Sequence, residues 1–489
     1  MSNHSNKAIM KTMKYFLMGV MLLGSSMTVM AQDGTPADVD AVKNLVKNKP
    51  ADYDKQIKAF VKANKKNAEN LVAIGRALYE AEDTANATVF ANQALTVKKN
   101  NYAPAYVLLG DIAVKKDNGG AAAMNYEQAI WADPKDPEPY RKYAAVYRKI
   151  DPEGAVQKLE DLRKERPDYP VDALIGHINY ISLRYGKANE AYSKVPMDKL
   201  QRMEYIEYAM ANYHGRQYDK ALNIVKAGMS KEPLNATMNR IAMLCSNELK
   251  QFPEALQYAD VLFTKVDKDS VTISDLDYQN YGKAYHGNGQ YDEAITKFRE
   301  ALAHPEGDKS LHADLYKSIS DSYKSKKDFP NAIEAYQQFL AAKTDADATD
   351  WAGLGILQNS YARTLEGDAK MEALAVADKT YADLVTKFAD AEEYALWQRG
   401  RINAQMDADL SKGLAKPYFE RLAELINTHE SLDEADKSRL FDAYSYLMRF
   451  NVKNKDNKAA LENAKKLQEL QPEDADIQKV VEALEKAAN

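Results

Sequence analysis

One cysteine in 489 residues, Cys245, removes disulfide bonding from any account of how this chain holds together. It lies among Ile241, Ala242, Met243 and Leu244, and reads as a buried, inert thiol. Metal-site patterns are missing as well: there are no paired cysteines and no His-Glu-x-x-His, and the 7 histidines are scattered. His304 and His312 come closest to a pair, in a polar stretch that makes a poor platform for ligands. No Gly-x-Ser-x-Gly and no phosphate loop ending in Lys-Ser or Lys-Thr occurs. Adjacent acids such as Glu392-Glu393 read as a solvated face among 72 carboxylates. No catalytic residue, cofactor or metal is therefore assigned. Basic charge is also short, 66 Lys and Arg against 72 Asp and Glu, which argues against a nucleic-acid partner. After the apolar run Tyr15 to Leu23 nothing approaches the ~20 apolar residues of a membrane span.

Tryptophan (3) and phenylalanine (12) are scarce, yet there are 31 tyrosines, and the excess has a source in an internal repeat. Alanines recur at Ala87, Ala122, Ala155, Ala188, Ala221, Ala255, Ala294, Ala332, Ala377, Ala415 and Ala460, separated by 33 to 35 residues up to Ala255 and by 38 to 45 after it. A period of this length means stacked helical hairpins. The clearest copy runs Tyr278, Tyr281, Gly282, Tyr285, a Gly287-Asn288-Gly289 turn, then Tyr291, Ala294, Phe298 and Ala301. Gly75, Gly110, Gly176 and Gly282 each precede a repeat alanine by 12 residues, which predicts helices touching where side chains are smallest. Pro134, Pro167, Pro233 and Pro472 each follow one by 12, where a ring without an N–H ends the second helix. Tyr205, Tyr208, Tyr218, Tyr316, Tyr323 and Tyr336 fall on repeat positions, so most tyrosine is core.

With Tyr106, Leu109, Gly110, Ala122, Tyr126, Ala129 and Pro134 in place, the pattern resembles the tetratricopeptide repeat, over roughly residues 68 to 472. The fold expected is an all-α solenoid of about eleven such repeats, in which each hairpin buries its face only against its neighbours. Asp38 to Lys47 and Ala51 to Asn64 read as capping helices at one end. Asp474 to Lys486, with Ile477, Val480, Val481 and Leu484 on one face, reads as the cap at the other. The expected divisions are 1–31, 32–67, 68–270, 271–472 and 473–489. The longer spacings in the second half place insertions at Val266 to Ser274, His304 to Ser310 and Lys343 to Asp350, and a longer helix at Asp368 to Lys387.

At the amino terminus, Lys11 and Lys14 precede Tyr15 to Leu23, and Val29-Met30-Ala31 supplies the small residues of a secretory cleavage site before Gln32. Residues 1–31 hold three lysines and no acid, so the processed chain would carry 63 minus 72, or −9. No cysteine near Ala31 offers a lipid-anchor site. The location expected is the periplasm or the outer membrane of a Gram-negative bacterium.

In the repeat family the first helix of each hairpin lines a concave surface. The resemblance thus implies an inward strip of Arg141, Arg148, His177, Tyr180, Met203, Tyr213, Arg240, Asn247, Gln279, Lys283, His286, Lys317 and Lys324. This strip is basic and aromatic in an acidic chain, which suits a protein partner or an extended acidic peptide. The family's carboxylate clamp needs an Asn four residues after a basic one, and Arg141 is followed by Ala145. The function expected is a non-enzymatic exported scaffold for protein–protein interaction. The alternative is a glycan or peptidoglycan binder, since some helical-repeat proteins of bacterial uptake systems present aromatic platforms to sugars.

Overall fold

A computed structural model describes residues 37–267, 271–305 and 307–488. Among these residues are 25 α-helices and no strand. The expected signal segment 1–31 and the tether to Pro36 lie outside the described residues.

The repeat begins with the turn. In the hairpin Ala68–Glu80 and Thr84–Val97, Glu82 takes a left-handed φ of +67°, and the next residue, Asp83, donates its N–H to Leu78 O. That is the Schellman closure of one helix. Asp83 at once begins the following helix, its side chain accepting Asn86 N–H at 3.0 Å. The same device recurs five residues before Ala122, Ala188, Ala221, Ala255, Ala294, Ala332 and Ala460. It sets the alanine as the fourth residue of its helix, as in Gly119–Ala132, Tyr185–Tyr192 and Tyr291–Leu302.

All eleven repeat alanines have zero exposure. A methyl side chain there lets the helix approach its partner closely, and in six of the eleven the residue four positions on, Tyr126, Tyr192, Phe298, Tyr336, Tyr381 or Phe419, delivers a ring into the gap. The rings land on the glycines: a β-carbon added at Gly282 would lie 2.5 Å from Phe298, at Gly176 2.8 Å from Tyr192, and at Gly110 inside the contact radius of Tyr126. The glycines therefore make room for an aromatic ring rather than for bare helix contact. Gly75 comes nearest to the contact expected, with Ala87 O at 3.4 Å and Phe90 Cβ at 3.2 Å.

The irregular hairpins keep this contact and change what surrounds it. Ala377 is the eleventh residue of the 21-residue helix Gly367–Lys387, seven positions later than usual. Seven residues are about two turns, so it keeps its face. Tyr381 then covers Gly355, where a β-carbon would lie 2.6 Å away. Ala415 is one turn earlier than usual, capping Lys416–Ile426, and Phe419 covers Gly400 at 2.6 Å. Gly353 likewise lies under Tyr336.

Contacts divide the chain at Asp267 and Lys268. In the first unit the helices Ala37–Asn48 and Tyr53–Ala63 precede six hairpins, and Tyr53 Oη donates to Asp83 at 2.6 Å. In the second unit five hairpins run from Asp275–Gly287 to Asn457–Leu470, closed by Ala475–Ala488. There Val481 and Leu484 pack with Ile477 on Ala460 and Ala464. Val480, expected on the same stripe, is 37% exposed, because the small residues opposite accept only a narrow face.

Candidate functional site

In the first unit, first helices of successive hairpins are tied across their faces by carboxylates. Asp111, on Ala103–Lys115, is only 6% exposed and is surrounded by donors. Tyr126 Oη donates to it at 2.8 Å, Lys142 Nζ at 2.7 Å and Arg76 Nη1 at 3.3 Å. Arg76 lies on Ala68–Glu80 and Lys142 on Pro137–Tyr147, so one carboxylate joins three consecutive first helices. A buried acid needs such partners to offset desolvation. Glu207, on Arg202–His214, acts similarly: Tyr192 Oη donates at 2.5 Å, and His177 Nδ1 lies 2.9 and 3.0 Å from its two oxygens. The tyrosine that covers each glycine thus also reaches a buried acid. Both Tyr126 and Tyr192 hydroxyls are held far above their ordinary pKa, by burial first and the neighbouring carboxylate second.

The predicted strip divides into several environments. Arg141 is exposed, beside the Lys142 that engages Asp111. Arg148 caps its helix and turns Nη1 back onto Ala145 O at 3.0 Å. Tyr180 and Tyr213 are half-buried against Tyr185 and Tyr218, at ring distances of 6.0 and 5.2 Å, and burial raises both phenol pKa values. Met203 packs on the core, while Arg240 and Asn247 are half-buried on Ala236–Glu248.

In the second unit Lys283 and Lys324 are exposed. Lys317 pairs with Asp321 at 2.8 Å and lies 5.1 Å over the Tyr336 ring. His286 Nδ1 lies 2.8 Å from Ser322 Oγ, and burial lowers its pKa. Gln279 departs from the expectation: at 5% exposure it faces the packed side of Asp275–Gly287 and lines no open surface.

Sequence reading passed over Arg76, Asp111, Lys142 and Glu207. Two of them carry a signal, since Arg76 and Asp111 immediately follow Gly75 and Gly110, as His177 and Lys283 follow Gly176 and Gly282. In each case the polar residue sits one position past the glycine at which the first helix meets its neighbour. Glu393 also differs from its reading as a plain solvated acid, since it bonds His429 and Arg439.

Among the described residues no group of three or more His, Cys, Asp or Glu is placed to hold a metal. Burial pushes the Cys245 thiol up to about 12, far from a reactive thiolate. No helix among the described residues is long and apolar enough to cross a membrane. What the faces carry is charged side chains in hydrogen-bonded pairs together with half-buried aromatic rings.

No curated protein sequence matches this one. Among solved structures, the C-terminal part of a tetratricopeptide repeat-containing protein from Cytophaga hutchinsonii is 22% identical with a TM-score of 0.45, over 56% of this chain and 99% of that one. A tetratricopeptide repeat protein from Parabacteroides merdae is 16% identical with a TM-score of 0.34, over 52% of this chain and 98% of that one. Residues 278–310, the hairpin in which Phe298 covers Gly282, match the tetratricopeptide repeat family.

Proposed function

We propose that this chain is an exported, non-enzymatic scaffold that holds an extended protein segment along its first-helix faces. The observation that carries the reading is how polar side chains are distributed. First helices carry Arg76, Lys142, His177, Lys283 and Lys317 at half-buried or exposed positions, interleaved with Asp111, Glu207 and Asp321, so cations and acids alternate from one hairpin to the next. Such alternation suits a partner of mixed charge better than a uniformly acidic one. Export rests on Lys11, Lys14, the run Tyr15 to Leu23 and Ala31.

A photo-crosslinking residue at Arg141 or Lys324 should capture a protein from the envelope fraction of the source cells, and one at Asn92 or Lys164, exposed on second helices, should not. Changing Arg240, Lys283 and Lys317 together to Glu should abolish that capture while helicity stays intact. Equal capture from both sets of positions would remove the first-helix faces from the reading. The intact mass of the exported chain, expected to begin at Gln32, tests the export arm independently.

A further inference from the structure

His429 lies in the link between Lys416–Ile426 and Glu434–Lys453, and both of its ring nitrogens meet carboxylates. Nδ1 is 2.8 Å from Asp436 Oδ2, and Nε2 is 2.9 Å from Glu393 Oε1 on the preceding first helix, Glu392–Met406. Arg439 closes the figure, its Nη1 3.3 Å from Glu393 Oε2 and 3.9 Å from Asp436 Oδ1. Two cations and two carboxylates therefore alternate in a ring. An imidazole has two N–H groups only when protonated, and an ionised carboxylate can only accept. Neutral His429 would turn a lone pair toward one of the acids.

The two acids are not equally free to leave. Asp436 is fixed in the capping box with Asp433 at the start of its helix, and His429 is only 7 residues away in sequence. Glu393 is 36 residues away and belongs to another hairpin. We propose that His429 is a proton-controlled tie between the last two hairpins of the second unit: protonated, it bonds Glu393 and Asp436 together, and loss of one proton removes its own bond to Glu393. Arg439 also bonds Glu393, at 3.3 Å, so what the proton controls is the histidine's share of the tie. Asp433 and the exposed Glu430 add negative charge, and Arg421, on Lys416–Ile426, is engaged with Glu392 at 3.4 Å and Glu424 at 3.5 Å. Farther along the same helices Trp397 Nε1 donates to Asp442 at 2.8 Å, a bond that does not involve His429, so loosening is confined to the ends near His429.

The His429 pKa is raised from 6.5 by the bond to Asp436 first and to Glu393 second. The tie is therefore fully present below about 6.5 and is lost as pH rises through the higher folded value. The test uses the full chain labelled with ¹⁵N-histidine, followed by NMR titration and by amide exchange over residues 427–437 corrected for intrinsic rate. His429 should titrate above 6.5, Glu393→Gln should lower its midpoint by about one pH unit, and protection should fall through that midpoint in the parent chain only. Glu393→Gln keeps the side-chain shape, so the fold should survive the change. A midpoint at or below 6.5, a midpoint unmoved by Glu393→Gln, or protection that ignores it would each overturn the proposal.

Discussion

At Gly282 a single hydrogen atom decides whether Phe298 fits. Helix propensity alone favours alanine over glycine by about 1 kcal/mol, yet the added carbon would lie 2.5 Å from Phe298 Cε1. Overpacking of this kind costs about 1 to 3 kcal/mol. Gly282→Ala should therefore lower stability in urea titration, and Gly282→Ala with Phe298→Leu should recover part of the loss. A stabilised single variant would mean that the ring moves aside freely. The turns hold the opposite case. Leu183 sits at φ +59° and is more than half exposed, in a conformation that costs an L-residue about 1 to 2 kcal/mol. Leu183→Gly should raise stability by about 0.5 to 1 kcal/mol after glycine's own entropy cost. Asn288-Gly289 could be read as a turn because glycine marks the left-handed position. Leu183, Arg216 and Lys250 could not, since the Schellman closure imposes φ on whatever residue stands there.

Among the elements, the link from Asp407 to Leu414 shows how an insertion is held. The Asp407 carboxylate accepts the N–H groups of Ser411 and Lys412 at 3.1 Å and of Gly413 at 2.6 Å, folding the link back so that Ala415 and Phe419 reach Gly400. Burial pushes the Asp407 pKa up, but the N–H groups of Lys412, Gly413 and Leu414 outweigh it and hold the pKa below the ordinary carboxylate value. The stabilisation is thus present above about pH 4 and is lost as pH falls through the lower folded value. Asp407→Asn should cost about 1.5 to 3 kcal/mol, as for hydrogen bonds to a charged acceptor. Amide exchange should show the loss first at residues 411–419. No repeat pattern announces this link, because its order comes from one side chain meeting backbone donors.

For the whole molecule, the division at Asp267 and Lys268 limits cooperativity. Each hairpin touches only its neighbours, so stability is a sum of local terms and long arrays lose all-or-none unfolding. Probes in the two units should report separate urea transitions, with the second unit, which carries the longer links, unfolding first. A chain cut to residues 37–267 should keep its helicity. Coincident transitions from both probes would make the chain one cooperative body.

The hairpins and their terminal caps were legible in order of residues, because a repeat writes the same packing solution many times and a buried alanine leaves a period that composition cannot mimic. Tyrosine excess, the glycines and the prolines all pointed the same way. The faces were legible only in part: His177 and Lys283 stood where the repeat places outward residues, but the acids between them did not announce themselves. Asp111 gains its meaning from Arg76 and Lys142, 35 and 31 residues away, and Glu393 from His429, 36 residues away. Residues so far apart in the chain become neighbours only when hairpins stack. Local sequence therefore determines the helices and their turns, while the charge carried by each open face is decided by which side chains the stacking brings within hydrogen-bonding distance.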